Sequence, residues 1–256
     1  MSGKRISLVA PMLNEAKHVD QLVEDLAAQD VGAELELIVA DGGSTDGCVE
    51  RLRAAAARAS LTLEVVDNPR RWAGPGLNRA LARATGEVIV RIDCHTRYPR
   101  DYVRRCVETL ELTGAWNVGG AFTAVGETTT QRAIACAYDS PFGGISWTRA
   151  QAAGEPVDAD IVYYGAFPRR VFEEVGLYDE HLGTAELEDL CRRIRDAGGR
   201  VVHDPALSLL YRPRDTFAAL AKQYYRYGLW KVAATRKHRR VLSARSVAPL
   251  VFVASL

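Results

Sequence analysis

Long apolar runs are missing from this chain. The nearest approach, Val247–Leu256, falls far short of the ~20 residues a helix needs to span a bilayer. Cysteine is scarce: Cys48, Cys94, Cys106, Cys136 and Cys191 are odd in number, and no two stand at metal-ligand spacing. That argues against a disulfide framework and for a reduced, cytoplasmic-side environment. A surplus of either charge is also missing. The formal net charge is +1, so there is no global electrostatic case for a nucleic-acid partner. No Gly-x-Gly-x-x-Gly follows any strand pattern, which removes the usual dinucleotide signature. No apolar stretch of signal-peptide type precedes the first strand pattern. What is present is ordinary for a folded domain. Apolar residues make up 48% and charged residues 25% of 256 residues, enough for one large α/β domain or two small ones. Disorder, collagen and coiled coil are excluded as descriptions of the whole.

The charge is unevenly placed. Between Arg212 and Arg245 there are ten Lys and Arg against one acid, Asp215. The apolar run 247–256 follows directly. A basic block leading into an apolar stretch is the pattern of the cytoplasmic flank of a membrane segment. The expectation is a membrane-surface contact through residues 212–256, with a packed C-terminal element as the alternative.

The first half alternates two periods. Ile6–Ala10, Leu35–Ala40, Leu61–Val66 and Glu87–Ile92 are short apolar runs, predicted as strands. Val19, Leu22, Val23, Leu26 and Ala27 follow the spacing of one helical face, and Val49–Ala57 and Leu77–Ala84 give two more helices. Strands alternating with helices predict an α/β fold with a mostly parallel sheet covered on both faces. Gly74-Pro75-Gly76 reads as a loop ahead of the third helix.

In open parallel sheets, ligands bind beyond the carboxyl ends of the strands. Three polar segments stand at such ends: Pro11–Glu15, Asp41–Gly47 and Asp93–Arg97. Together they predict one composite site, although each alone could be a turn. Asp41 ends a buried strand, where a carboxylate can accept from the ring N–H of a pyrimidine or cap the next helix, as could Thr45 or Asp46. Asp93 and His95, at i and i+2 of an extended segment, would point to one side and could share a divalent metal. Mg²⁺ favours carboxylate and phosphate oxygen, and Mn²⁺ tolerates the imidazole better. The plainer alternative is an Asp that holds a turn beside an unrelated His.

At this point the segments VAPMLNE (Val9–Glu15), VADGGSTDG (Val39–Gly47), GPGLNRALARATGEVIVRIDCHTRYP (Gly74–Pro99), VYYGAFPRRVFEEVGLYDE (Val162–Glu180), the acidic stretch Glu186–Asp189 and QYYRYGLWK (Gln223–Lys231) can be taken together. They resemble the inverting family 2 glycosyltransferases of GT-A fold, and more closely the succinoglycan-biosynthesis branch. The resemblance covers nearly the whole chain in order, and Asp93-Cys94-His95 fits the Asp-x-His form of that branch's metal motif. It implies a Rossmann-like GT-A domain over residues 1–211, with a nucleotide-sugar half (1–99) and an acceptor half (100–211), followed by a basic helical extension (212–256). It implies that Pro11, Asn14, Glu15, Asp41, Gly76, Asn78 and Asp93 line the nucleotide site. Asp93 and His95 would hold Mn²⁺ or Mg²⁺ on the diphosphate. Tyr164 and Gly165 would shape the sugar and acceptor pocket. The implied donor is a nucleotide diphosphate sugar, a UDP-sugar first. The implied acceptor is a lipid-linked or polymeric glycan, and the implied place is the cytoplasmic side of the cell membrane.

Two departures stand out. An inverting transfer needs a carboxylate to take the acceptor proton. Alignment on Leu190, Arg193 and Gly198 puts Leu187 where the family has its Asp. Glu188 is the first substitute, then Glu186, with Asp189 on the Glu186 face. The competing explanation for all three is a set of solvated acids in a first helical turn. The second departure lies in 216–235. Phe217, Leu220, Ala221, Tyr224, Tyr225, Gly228, Leu229 and Val232 form one stripe, expected to face the core. Gln223, Arg226, Tyr227 and Trp230 form another, resembling the Gln-x-x-Arg-Trp segment of processive synthases, with Tyr227 at the Trp position. By that resemblance Arg226 lies near the diphosphate and the aromatics near acceptor sugar. An interfacial helix against lipid headgroups is the alternative. Two other functions are weighed. A sugar-nucleotide pyrophosphorylase would need a Gly-rich basic loop after the first strand, which Pro11–Glu15 is not. A catalytically weak or silent nucleotide-sugar-binding partner subunit is kept open by Leu187.

Overall fold

The structure is a computed structural model that describes residues 5–140 and 154–239. Four parallel strands come first: β1 (Arg5–Met12), β2 (Glu34–Asp41), β3 (Thr62–Asp67) and β4 (Val88–Arg91), in spatial order β3-β2-β1-β4. Helices α1 (Val19–Ala27), α2 (Cys48–Arg58) and α3 (Ala73–Leu81) connect them. These strands are apolar on both faces because both faces are covered. Leu8, Ala10, Leu37 and Val39 meet Leu22, Leu26 and Leu52 on one side. Val9, Ile38, Ala40 and Ile89 meet Leu77 and Ala80 on the other. Each fully buried Leu or Ile contributes about 1.5–3 kcal/mol relative to exposure. The register pairs Met12 with Asp41 and Asp41 with Asp67, so β1, β2 and β3 reach their carboxyl ends together.

The sheet then changes direction. Strand β9 (Tyr163–Pro168) lies antiparallel between β4 and β6 (Asn117–Gly120), and β10 (Val201–His203) and β8 (Val157–Asp158) complete eight strands. A small second sheet of β5 (Thr96–Arg97), β11 (Leu209–Tyr211) and β7 (Phe122–Ala124) flanks the site end. Helices α4 (Tyr102–Thr113), α5 (Thr129–Asp139), α6 (Arg170–Glu174) and α7 (Glu186–Asp196) pack around them, and α8 (Phe217–His238) runs across the acidic segment. Helix α5 is opened by a full capping box: Thr128 accepts from the Gln131 N–H, and Gln131 returns the bond to the Thr128 N–H. All five cysteines are free, and Cys136 on α5 alone among them is exposed.

Two expectations need correction. Gly74-Pro75-Gly76 is not a loop but the first turn of α3. A first-turn proline lacks an N–H that would have no helical partner anyway. A Cβ on Gly76 would stand 2.8 Å from the Asn68 amide, so glycine there lets the helix close on β3's end. The second correction concerns α8. Its apolar stripe faces outward: Phe217 is 63% and Tyr225 74% exposed, and Tyr224, Leu229 and Val232 are exposed as well. The stripe that packs is the other one, with Trp230 partly buried and Ala234 fully so. Helical period identifies two faces but does not say which one the core takes. Among the described residues no helix is long and apolar enough to cross a membrane. The cations at 240 and 245 and the apolar run 247–256 lie outside the described residues.

Candidate active site

The loops after β1 and β2 hold each other. Asn14 takes a left-handed φ of 56°. Its N–H donates to Ser44 Oγ at 2.8 Å, and its Oδ1 accepts from the Thr45 N–H at 2.9 Å. The Ala16 N–H donates to Asp46 at 2.8 Å, and Asp46 also accepts from the Cys48 N–H at the head of α2. Asp46, rather than Asp41, therefore tends the helix start. The Asp41 carboxylate accepts from the Gly43 and Ser44 N–H groups at 3.0 Å each and from Ser44 Oγ at 2.6 Å, and it remains partly exposed at the strand end. Gly43, at φ 77°, allows that turn. Pro11 sits beside Ala40 in the β1–β2 register, with its carbonyl facing the Cys94 thiol.

Asp93-Cys94-His95 forms a turn rather than the expected extended segment, closed by the Thr96 N–H on the Asp93 carbonyl at 3.3 Å. The turn still brings the two side chains together. His95 Nδ1 lies 2.9 Å from Asp93 and 3.4 Å from Glu15. Burial disfavours the charged imidazole, but the Asp93 charge and hydrogen bond, joined by Glu15, push its pKa up to about 11. Burial would likewise raise the Asp93 carboxyl, but His95 and then Arg91 bring it down to about 2. Glu15, Asp93 and His95 thus come from the ends of two adjacent parallel strands, as the sequence reading required. Among the described residues no three His, Cys, Asp or Glu side chains form a ready cage for a cation. Asp93 and His95 stand side by side as one carboxylate and one imidazole, donors of the kind a divalent ion takes when the ring is neutral.

Gly76 and Asn78 both lie inside α3. Gly76 packs on Asn68 and Ala40. The Asn78 amide is occupied by the segment before α7: it accepts from the Tyr178 N–H at 3.0 Å and donates to the Tyr178 carbonyl at 2.9 Å and Glu180 at 3.0 Å. Its contacts make it a brace between α3 and that segment. Tyr164 (φ 55°) and Gly165 (φ 91°) are two consecutive left-handed residues where β9 shifts register against β6. A Cβ at Gly165 would collide with the Asn117 side chain, and the hydroxyl of the partly buried Tyr164 accepts from Thr96 Oγ1 at 3.2 Å. Strained backbone of this kind persists where the surroundings fix it, often at sites.

The acidic segment separates into distinct environments. Glu186 is buried and bound to the buried Arg91 at 2.9 Å. Arg91 also stands over the rings of Tyr178 and Tyr164. Burial works against the Arg91 charge, and Glu186 together with Tyr178 and Asp93 outweighs it, raising the pKa. Arg91 Nη1, Glu186 Oε2 and the Tyr178 hydroxyl are each buried without a hydrogen-bond partner. Asp189 is fully buried and is held by Arg193 at 2.9 Å, Lys237 at 2.6 Å and the His238 ring at 2.7 Å. It clamps the end of α8 to the start of α7. Leu187 continues the apolar face of α7 into the core with Leu190 and Ile194. Glu188 lies on the other side, with Lys231 at 3.9 Å.

The inward face of α8 is the polar-aromatic one. Gln223 donates to the Tyr227 hydroxyl at 2.9 Å and reaches Tyr211 at 3.4 Å. Arg226 stands 5.0 Å over the Trp72 ring, and Trp230 meets Trp72 edge to face at 5.8 Å. Sequence reasoning missed Arg91 and Trp72. Arg91 had a signal, a lone charge inside the apolar run Val88–Ile92. Trp72 had none, since its partners lie far along the chain.

Comparison with known proteins adds to this geometry. The family model for glycosyl transferase family 2 matches residues 7–176. The succinoglycan biosynthesis protein ExoA of Rhizobium meliloti (strain 1021) is 36% identical over 246 residues, covering 95% of this chain and 74% of that protein. Among solved structures, the mannosyltransferase PcManGT of Pyrobaculum calidifontis in complex with GDP-Man and Mn²⁺ superposes with a TM-score of 0.73 at 23% identity, covering 95% of this chain and 69% of that one. The S. aureus TarS fragment 1–349 in complex with UDP gives 0.63 at 15% identity, covering 89% and 64%. At these identities the structural matches speak to the fold, which is GT-A.

Proposed function

Because the chain belongs to glycosyl transferase family 2, whose members invert, and so is a glycosyltransferase of polysaccharide or glycan biosynthesis, we propose that it moves a sugar from a nucleotide diphosphate to a hydroxyl of a lipid-linked or polymeric glycan. UDP is the proposed nucleotide. The observation that carries this reading is the meeting of Asp41, the Asn14–Ser44 pair, Glu15, Asp93 and His95 at the carboxyl ends of three neighbouring parallel strands.

In this proposal the Asp41 turn faces the base, and the interlocked loops 13–16 and 41–46 fix the nucleoside. Asp93 and His95 would hold Mn²⁺ or Mg²⁺, which when bound neutralises charge on the diphosphate. The acceptor hydroxyl attacks the anomeric carbon as the bond to the diphosphate breaks, giving the inverted glycoside and the free nucleotide. The acceptor proton goes to a carboxylate. Of the three acids, Glu186 is bound to Arg91 and Asp189 to Arg193, Lys237 and the His238 ring, so Glu188, with its looser contact to Lys231, is the proposed base. Tyr164, Gly165, Arg226, Tyr227 and Trp230 are assigned to the diphosphate and acceptor side, and Gln223 to holding Tyr227. The division at 211/212 belongs to the same proposal, with the outward apolar face of α8 and its flanking cations lying on the cytoplasmic membrane surface.

The test is a thermal-shift titration with UDP, GDP, TDP and CDP, each with and without Mn²⁺. Saturation to a hundred times Kd stabilises by about 2.7 kcal/mol. A Mn²⁺-dependent shift with UDP, lost in Asp93→Ala, is expected. No shift with any nucleotide would overturn the donor-site assignment. Donor turnover that persists in Glu188→Gln would remove Glu188 as the base. Nucleotide binding without any turnover would favour a binding partner subunit, the reading that Leu187 supports.

A further inference from the structure

Beside the start of α7 is a cavity of about 280 Å³, lined by Arg70, Trp72, Glu180, His181, Gly183 and Trp230. It is smaller than the pockets of drug-sized ligands, which begin near 300 Å³. Two indoles form a right-angled corner, and a charged pair stands at its side, with Arg70 Nη1 2.6 Å from Glu180 Oε2. Trp72 is 39% exposed, although it is braced from outside the cavity by Arg226. Gly183 makes the corner possible. It adopts φ 51°, and a Cβ there would run into the Trp230 indole. The segment that carries the cavity wall also carries Glu180, whose other oxygen is fixed by Asn78.

This combination has a chemical meaning. An indole offers a flat apolar face with a polar N–H at one end. A carboxylate and a guanidinium held side by side offer acceptors and donors in fixed directions. A pyranose ring has the complementary form: an apolar C–H face and a rim of hydroxyls, each of which donates and accepts. A lipid chain has no use for the charged pair, and in the reading above the nucleobase is already assigned to the Asp41 turn. We infer that this cavity binds one pyranose of the glycan acceptor, with the ring against Trp72 and Trp230 and its hydroxyls on Arg70 and Glu180. The inference rests on the reading above that the acceptor is a glycan, and it adds a sugar subsite built from the loop after β3 as well as from α8. Because a Cβ on Gly74, in the first turn of α3, would stand 3.7 Å from both Glu180 and Glu186, the cavity adjoins the Arg91–Glu186 pair and hence the end of β4, two residues before Asp93.

The experiment follows the indole N–H signals of the ¹⁵N-labelled full chain by NMR, a readout that detects weak binding. Methyl glycosides of glucose, galactose and mannose serve as separate probes, and UDP with Mn²⁺ is titrated into parallel samples. Signals are assigned with Trp72→Phe, Trp230→Phe and Trp116→Phe. The expected result is that at least one glycoside moves the Trp72 and Trp230 signals and leaves Trp116 in place. Trp72→Ala and Gly183→Ala should weaken that response on the order of tenfold to a hundredfold while nucleotide binding persists. If no glycoside moves these signals, or if Trp72→Ala leaves the response intact, the subsite is wrong while the donor reading stands on its own titration. If Trp72→Ala and Gly183→Ala abolish UDP binding with their thermal midpoints kept, the cavity belongs to the donor and the inference is likewise overturned. A glycoside response without nucleotide binding would instead keep the subsite and remove the donor reading.

Discussion

The two ends of the same four parallel strands carry carboxylates in opposite circumstances. At the amino end, Glu36 on β2 accepts from Ser7 Oγ at 2.5 Å, from the Thr85 N–H at 2.6 Å and hydroxyl at 2.9 Å, and from the Gly86 N–H at 3.2 Å. Every donor comes from the protein, and together they sew β1, β2 and the turn before β4 into one unit. At the carboxyl end, Asp93 and Glu15 face a single imidazole and remain partly exposed. All four bonds fall on Oε1, an oxygen that has little left to offer a ligand. A carboxylate that shares a ring nitrogen with a second carboxylate has lone pairs to give. The difference between the two ends lies in what each acid faces, several protein donors at one and a shared imidazole at the other, rather than in burial.

That contrast can be broken most forcefully at Arg91, a charge close to the carboxyl end of the sheet that is buried nonetheless. Arg91→Met should destabilise by about 3–5 kcal/mol, because Glu186 is left charged and alone. Urea unfolding reads the loss, and Arg91→Met/Glu186→Leu should recover most of it. Retained stability in the single variant would show that the pair contributes little to holding α7 against β4. Next in size, Asp93→Asn should lower kcat by about 10²–10³-fold, the scale for losing one group that stabilises developing charge, with the thermal midpoint nearly unchanged. Glu36→Gln sharpens the comparison from the other side: a loss of about 1–3 kcal/mol in stability, with transfer per folded molecule unaltered. The smallest effect is in pH. Burial would raise the Glu36 carboxyl, but the bonds from Ser7, Thr85 and Gly86 outweigh it and hold its pKa below the ordinary value. Its contribution is therefore present above the unfolded carboxyl's pKa, near 4.3, and is lost as pH falls through the lower folded value. Denaturant midpoints measured on acidification should fall more steeply in the wild type than in Glu36→Gln; parallel curves would contradict it.

The same contrast explains what the sequence made legible. Strands β1 to β4 were readable because burial on both faces leaves near-continuous apolar runs, and the site-end acids because a charge that stops such a run needs a reason. The strands β5, β7 and β11 were not readable, being two or three residues long and paired over distances of about a hundred residues. The head of α3 was hidden by Gly-Pro-Gly, whose backbone signal is a loop until Asn68 and Glu186 are seen to need the close approach. In α8 both stripes were visible, but their orientation was not. It is set by Gly183, Trp72 and Asp189, none of which lies on the helix. Spacing on α7 could show that Glu186 and Glu188 face apart, yet which of them meets a buried arginine depended on a strand ninety-five residues earlier.

The placement of the cysteines has a practical consequence. Four thiols are enclosed and the fifth, Cys136, is on the surface of α5. A maleimide dye or spin label should therefore attach at one position without any sulfur having to be engineered away. Two residues along, Tyr138 lies 6.5 Å from the ring of Tyr211, whose hydroxyl Gln223 of α8 reaches. A reporter at Cys136 would sense whether that helix stays seated while vesicles, nucleotides or saccharides are added in turn.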